Sequence, residues 1–418
     1  VRVLGCKVNQ YEAAQIGRIL ELRDLVPAAE GDAADVTAVH TCAVTAAALR
    51  NSRHLLRRER ARGAGLVIAT GCAGTTDLLG AGPHPDAIVA AGPRWTEDLA
   101  AALDRILPEA ADTRVPSAAG GPAVERFRGH TRAFLKIQDG CDLGCSYCIV
   151  PSLRGTPRDK PLAAAVDEAR AMVQAGHSEI VVTGISVGLW GRNGGGLAAA
   201  LAALARIDGL RRIRLSSLHP AELSGALLDT LASSPQFMPQ IHLPLQSGSD
   251  AVLAGMNRGY DRAAFLAALA RARAALDRPA FATDVIPGFP GETDRDFDDT
   301  LEMCREAAFS RIHIFPFSAR PGTAAADLPR RVPSEVVTDR ANRLRDLADE
   351  LRLAAHRRFL GNTTEVLCET RDEEGLWQGY DVRYIPVRLP GPPGWRGRIV
   401  SARLERLDGP HVRATAVG

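Results

Sequence analysis

Cys141-Asp142-Leu143-Gly144-Cys145-Ser146-Tyr147-Cys148 is a run of three cysteines spaced C-x3-C-x2-C. On one short loop this spacing can turn three thiolates toward a single iron–sulfur cubane, whose four irons then outnumber the protein ligands by one. The iron left over is a place where a chelating small molecule can bind and receive an electron. A zinc knuckle or a set of buried thiols is the alternative reading. Zinc sites ordinarily take a fourth Cys or His at matched spacing, and the nearest histidines, His130 and His177, fall outside any usual interval.

Downstream of this loop, strand and helix patterns alternate for more than 200 residues. Expected strands are Ala133–Gln138, which immediately precedes the loop, then Glu179–Thr183, Arg212–Ser216, Gln240–Leu245, Ala280–Ile286 and Arg311–Phe317. Helical patterns fall at Pro161–Ala175, Leu197–Ala205, Glu222–Ala232, Arg262–Leu276 and Asp294–Ala307. Six such repeats predict an α/β fold, an open partial (β/α)6 barrel instead of a closed eight-fold one. Barrels of this kind carry their sites at the carboxyl ends of the strands. The residues to watch there are Thr183 and Gly184, Ser216 and Ser217, Gln246, and Gly288 with Glu292. Glycine lets backbone approach a ligand, while the hydroxyl, amide and carboxylate groups can orient a polar cofactor.

Upstream, as far as about Gly121, stand Cys6, Cys42 and Cys72. Their spacing is close to the length of one strand–helix–strand unit. Each follows a short apolar run (Val1–Leu4, Val36–Val39, Leu66–Ala69), and helical patterns at Glu12–Leu22 and Ala46–Arg62 lie between them. Strand ends in a parallel sheet share one edge, so cysteines scattered along the chain can meet there as a second cluster. The alternative is that small residues merely cap the strands. A basic helix carrying Arg50, Arg53, Arg57, Arg58, Arg60 and Arg62 can face a phosphate backbone or simply be solvated.

Ala111–Val124 is rich in Pro, Gly, Ala and Ser and reads as a linker. Arg330–Arg358 is a charged helical stretch. From about Gly361 the chain changes to short strands, Thr364–Glu369, Trp377–Asp381, Val382–Leu389 and Gly397–Leu404, which predict a small β-barrel of OB-like topology, a shape often used for RNA. The expected domains are thus residues 1–121, 125–358 and 361–418. A net charge of only +2 leaves nucleic acid neither required nor excluded. With no signal peptide pattern and no apolar run of membrane-spanning length, a cytoplasmic protein with no membrane partner is expected. Its cysteines are then ligands or free thiols more than disulfides, and Cys304 and Cys368 read as ordinary core thiols.

Together these features resemble the radical S-adenosylmethionine (SAM) methylthiotransferases across nearly the whole chain: a three-cysteine N-terminal domain, a radical-SAM core and a C-terminal TRAM domain. Gly5-Cys6-Lys7-Val8-Asn9-Gln10-Tyr11-Glu12, Thr41-Cys42-Ala43-Val44-Thr45, Phe134-Leu135-Lys136-Ile137-Gln138-Asp139-Gly140-Cys141 and His242-Leu243-Pro244-Leu245-Gln246-Ser247-Gly248-Ser249-Asp250 are similar to the group acting on threonylcarbamoyladenosine in tRNA. The chain departs from the family pattern at Gly144, where an aromatic residue is usual, at Ser152 and His40, and at Ala73-Gly74 after Cys72.

The resemblance implies two [4Fe–4S] clusters and SAM. Cys141, Cys145 and Cys148 would hold the cluster that cleaves SAM to the abstracting radical, with Thr183, Gly184, Ser216, Ser217, Gln246, Gly288 and Glu292 as its SAM contacts. Cys6, Cys42 and Cys72 would hold the sulfur-carrying cluster, from which a methylthio group passes to C2 of the adenine. Implied partners are tRNA, an electron donor of flavodoxin or ferredoxin type and a sulfur source, around a monomer. The isopentenyladenosine enzyme and a non-catalytic iron–sulfur RNA-binding protein remain as alternatives.

Overall fold

The computed structural model describes residues 1–29, 32–74, 85–107, 121–192 and 194–417; positions 111–120 of the expected linker lie outside them. The N-terminal part is a parallel sheet in the order β1 (Arg2–Val3), β2 (Val36–Thr41), β3 (Leu66–Gly71), β4 (Ala87–Ala90). Its central strands are continuous runs of small and branched residues, as a sheet covered on both faces requires. Ala38 and Ile68 pack with Ile16 and Ile19 of α1 (Lys7–Glu21) and with Trp95, Leu99 and Leu103 of α3 (Trp95–Ile106). Val39, Val67 and Ala69 meet Leu49, Leu55 and Leu56 of α2 (Ala46–Ala61) on the other face. Helix α1 starts at Lys7, five residues before the sequence pattern suggests. Its first turns bury Val8 and Tyr11 together with the polar Asn9 and Glu12, so no amphipathic period marks that start.

The second part is an arc of parallel strands. β5 (Arg132–Lys136), β8 (Glu179–Thr183) and β9 (Arg212–Leu215) form one sheet, and β10 (Gln240–His242), β11 (Ala280–Val285) and β12 (Arg311–Ile314) form another. An Ile213–Phe237 bridge links them. The two remaining short strands, β6 (Gln138–Asp139) and β7 (Arg158–Asp159), pair with each other beside the cysteine loop. The alternation of residues decides which face is which. Ala133, Leu135, Ile180, Val182, Ile213, Leu215, Ile241, Phe281 and Ile312 join one core with the outer helices. The intervening residues, Arg132, Lys136, Glu179, Thr183, Arg212, Arg214, His242, Asp284 and His313, therefore line the inside of the arc. A barrel core would put apolar residues here; this interior is charged.

The helix Ser334–Arg357 packs Leu344 and Leu347 on the arc and leads into a closed five-stranded barrel. Its order is β13 (Thr363–Arg371), β14 (Trp377–Asp381), β15 (Pro386–Leu389), β17 (His411–Ala416), β16 (Ile399–Asp408), with β15 and β17 parallel, which is the OB-like topology expected. The sequence pattern lacked β17, whose inward residues include the small Ala414. It also began β15 at Val382, where Tyr384 in fact turns the chain at φ +61°. This barrel closes the arc at the amino ends of the strands. Arg214 donates to Glu179 (2.8 Å), to the Asp381 carbonyl (2.6 Å) and to the Val382 carbonyl (3.0 Å), with its guanidinium 3.7 Å from the Tyr384 ring centre. Arg132 adds an ion pair to Glu369 at 2.8 Å.

Candidate active site

The register of the N-terminal sheet brings its three cysteines to one edge. Thr41 pairs with Gly71, so Cys42 and Cys72 follow adjacent strands at the same level. A Cβ on Gly5 would lie 3.1 Å from that of Cys42, which sets Cys6 alongside, and the φ of +108° at Gly5 makes that close approach possible. Cys42 and Cys72 are buried and Cys6 is exposed. Burial, with Glu12, Cys42 and Cys6 as negative neighbours, pushes the Cys72 thiol up to about 11 against the pull of Arg154.

The other trio leaves the arc through the short strand β6 and is folded over by Gly140, where φ is +73° and a Cβ would lie 2.1 Å from the Thr156 carbonyl. The loop is fixed by Cys141 N–H to the Gly155 carbonyl (3.1 Å), Ser146 N–H to the Met256 carbonyl (3.0 Å) and Asn257 to the Gly144 carbonyl (2.8 Å). Gly144 has φ +68°, a left-handed turn that an aromatic residue adopts only with strain, so this departure from the family pattern suits the local backbone. Burial and the neighbouring Cys145 and Cys141 push the Cys148 thiol up to about 11.

The donor set around both trios suits iron–sulfur ligation. The backbone amides of Val44, Leu143 and Val150 pull the thiols of Cys42, Cys141 and Cys148 down against the rise that burial causes. Arg258 Nη1 lies 2.9 Å from Cys145 Sγ. Hydrogen bonds of this kind stabilise thiolate charge and tune a cluster's potential. Among the described residues no three His, Cys, Asp or Glu side chains converge on a single ion. A recess of about 1510 Å³ behind α1, lined by Gln10, Arg18, Leu25, Phe127 and Gln174, contains none of the six cysteines.

The N-terminal sheet packs on the arc through residues near both cysteine sets. Ala46 N–H, at the start of α2, donates to Ser318 Oγ at 3.0 Å, past the end of β12. Lys136, the last residue of β5, pairs with Glu12 of α1 at 2.6 Å. Arg154, almost fully buried, donates to both oxygens of Glu12 (2.7 and 2.8 Å), to Asn9 Oδ1 (3.3 Å) and to Asp139 (3.2 Å). Burial alone would raise the Glu12 carboxyl, but Arg154 and Lys136 hold it well below the usual range.

The expected small-molecule contacts fall into two sets. Thr183 ends β8, and Ser216 and Gln246 are buried beyond β9 and β10, with Ser216 Oγ and Gln246 Oε1 lacking any protein partner. Buried polar atoms left open in this way are available to a polar ligand. Gly184 packs against Gln138, and Ser217 is half-buried. Gly288 and Glu292 are instead engaged in a brace. Glu292 accepts from Gly288 N–H and from Arg340 of the long helix, both at 2.7 Å. Sequence reasoning missed Arg154, Asn9, Glu12, Arg258 and Lys7 as site residues. Lys7, Asn9 and Glu12 stand in the motif that carries the resemblance, a signal that could have marked them, whereas Arg154 and Arg258 are distinguished only by their three-dimensional neighbours.

Residues 135–304 match the family model described as the radical SAM superfamily, and residues 1–88 match the uncharacterized protein family UPF0004. The chain is 36% identical, over 97% of its length and 94% of the relative's, to the threonylcarbamoyladenosine tRNA methylthiotransferase MtaB of Chlamydia pneumoniae. It is 37% identical, over 96% of its length and 85% of the relative's, to the tRNA-2-methylthio-N(6)-dimethylallyladenosine synthase of Parafrankia sp. (strain EAN1pec). Among solved structures, the radical S-adenosylmethionine methyltransferase TsrM of Kitasatospora setae aligns with a TM-score of 0.52 at 16% identity, covering 75% of this chain and 66% of that one, a likeness of fold.

Proposed function

Because the chain belongs to the radical-SAM methylthiotransferase family, we propose that it adds a methylthio group to C2 of threonylcarbamoyladenosine in tRNA, with Cys141, Cys145 and Cys148 holding one [4Fe–4S] cluster and Cys6, Cys42 and Cys72 a second. When bound, these groups supply reductive cleavage of SAM and a carrier for the transferred sulfur. The chain's own residues do the rest. Thr183, Ser216 and Gln246 offer hydrogen bonds at the carboxyl ends of the strands. A base modified between the two cysteine loops would have to leave its stack to reach them. The charged interior of the arc suits a polar nucleotide more than a hydrocarbon one.

The observation that carries the choice of substrate is Lys7. It follows Cys6 directly, and its electrostatic neighbours are Arg132, Asp284 and Arg214 from the inner face of the arc, together with Cys6. Among the described residues its ammonium makes no hydrogen bond or ion pair. Threonylcarbamoyladenosine carries a carboxylate, which an otherwise unpartnered ammonium recognises, whereas the isopentenyl group is an uncharged hydrocarbon. The second reading, methylthiolation of isopentenyladenosine, has its support in the Parafrankia relative.

The test is mass spectrometry of tRNA nucleosides from a strain lacking the gene, complemented with the wild-type and Lys7→Gln proteins. Loss and restoration of methylthio-threonylcarbamoyladenosine is the expected result; loss of the isopentenyl nucleoside instead would overturn the substrate assignment. Anaerobic reconstitution should give about eight irons per chain. Four or fewer, without SAM cleavage under reductant, would point to a non-catalytic RNA-binding protein.

A further inference from the structure

We propose that the buried series Asn9, Glu12, Arg154 and Asp139 is a strut that sets the spacing between the two cysteine loops, and that these four are positioning residues for transfer across it. The inference rests on the two-cluster reading above. Each end of the series stops on peptide groups next to a cysteine. Asn9 Nδ2 donates to the carbonyls of Leu4 (2.7 Å) and Thr41 (2.9 Å), which flank Cys6 and Cys42, and Cys6 Sγ lies 3.6 Å from Asn9 Oδ1. At the far end, Asp139 Oδ1 accepts from Gly140 N–H at 2.8 Å, one residue before Cys141. The Gly155 carbonyl, next to Arg154, takes Cys141 N–H at 3.1 Å. Between these ends Arg154 bridges Asn9, Glu12 and Asp139, and both Arg154 and Glu12 have side chains only 2% exposed.

Two cations, Arg154 and Lys136, meet two carboxylates, Glu12 and Asp139, and His40 Nε2 lies 2.9 Å from Glu12. A buried ionic group of this sort is no more stabilising than well-packed apolar residues. What it provides that packing does not is a fixed set of directional bonds. Two folds that meet only through apolar faces can slide, and a misplacement of about 1 Å costs on the order of 100-fold in rate. The strut therefore acts on the yield of transfer more than on the survival of either loop.

The test uses the protein with both clusters reconstituted, as wild type, Glu12→Gln, and Arg154→Lys, which keeps the charge but loses the fork. The measurements are iron content, the electron-paramagnetic-resonance coupling between the two reduced clusters, and methylthio product formed per 5′-deoxyadenosine released. The expected result is unchanged iron, weakened inter-cluster coupling and a product yield lower by about 100-fold while deoxyadenosine formation continues. Wild-type coupling and yield would overturn the proposal, as would iron loss confined to one cluster, which would make the group a support of that loop alone.

Hydrogen exchange on the metal-free chain guards against a variant that fails to load. The strut requires Arg154→Lys to speed exchange in the Cys6 and Cys141 loops together, and acceleration in only one refutes it. A wild-type protein that modifies isopentenyladenosine would defeat the substrate assignment and leave the coupling and exchange results to judge the strut.

Discussion

Replacing Arg214 by Met should undock the C-terminal barrel without unfolding it. Methionine keeps the apolar stem but removes the donors to Glu179, Asp381 and Val382 and the cation above Tyr384. The two bonds lost across the interface, from the guanidinium to the Asp381 and Val382 carbonyls, are worth about 1.5–3 kcal/mol each. Arg212 still donates to the Tyr380 carbonyl at 3.4 Å, so the lower end, about 3 kcal/mol for the two together, applies. At about 1.4 kcal/mol per factor of ten, that raises the undocked population on the order of 100-fold. Native-state proteolysis reads this directly as the rate of cleavage between the long helix and β13, with product fragments identified by mass. Arg388→Met is the control, since Arg388 pairs with Asp372 and Asp408 inside the small barrel. A cleavage rate for Arg214→Met that stayed within about twofold of wild type would show that the interface does not depend on this arginine.

Three further outcomes follow from burial and backbone geometry. His356 is buried and lies near Arg352 and His411; desolvation first and these neighbours second push its pKa from 6.5 down to about 4. The unfolded chain takes up a proton at higher pH than the folded one does, so stability is whole above about pH 6.5 and falls by up to about 3 kcal/mol as pH drops toward 4. Denaturant titrations at pH 7 and pH 5 should show this slope in wild type and a shallower one in His356→Leu, where His313, also pushed down to about 4, still contributes. Gly140→Ala forces a Cβ onto the Thr156 carbonyl at a residue with φ +73°; iron analysis should find about four irons per chain, with SAM cleavage lost. Cys304→Ala and Cys368→Ala remove fully buried thiols of two apolar cores; each should keep the wild-type iron content and cost about 1 kcal/mol in stability.

The sequence made the six strands of the arc visible because one face of each buries an apolar series against helices, a pattern that survives in a single chain. Their ends were less clear. Gln240–Leu245 shrinks to Gln240–His242 because, past the ladder bond from Leu243 N–H to the Ala282 carbonyl, Leu245 N–H donates to the Thr283 hydroxyl at 2.9 Å instead of to a strand carbonyl. The meeting of Cys42 and Cys72 at one sheet edge was legible because strand ends in a parallel sheet share an edge. The groups between the two cysteine loops were not: Asn9 and Glu12 appear only within the motif that carries the resemblance, and Arg154 has no reading of its own. Their importance comes from a meeting of segments more than 120 residues apart in sequence.

The floor of the arc joins two folds through shared side chains. Glu179 and Arg212 open β8 and β9, Arg212 donates to the Tyr380 carbonyl of the small barrel at 3.4 Å, and β8 ends at Thr183. Four residues of strand span only about 13 Å. A load placed on the C-terminal barrel would therefore pull on the strand that carries Thr183, and it would travel along peptide backbone instead of through solvent.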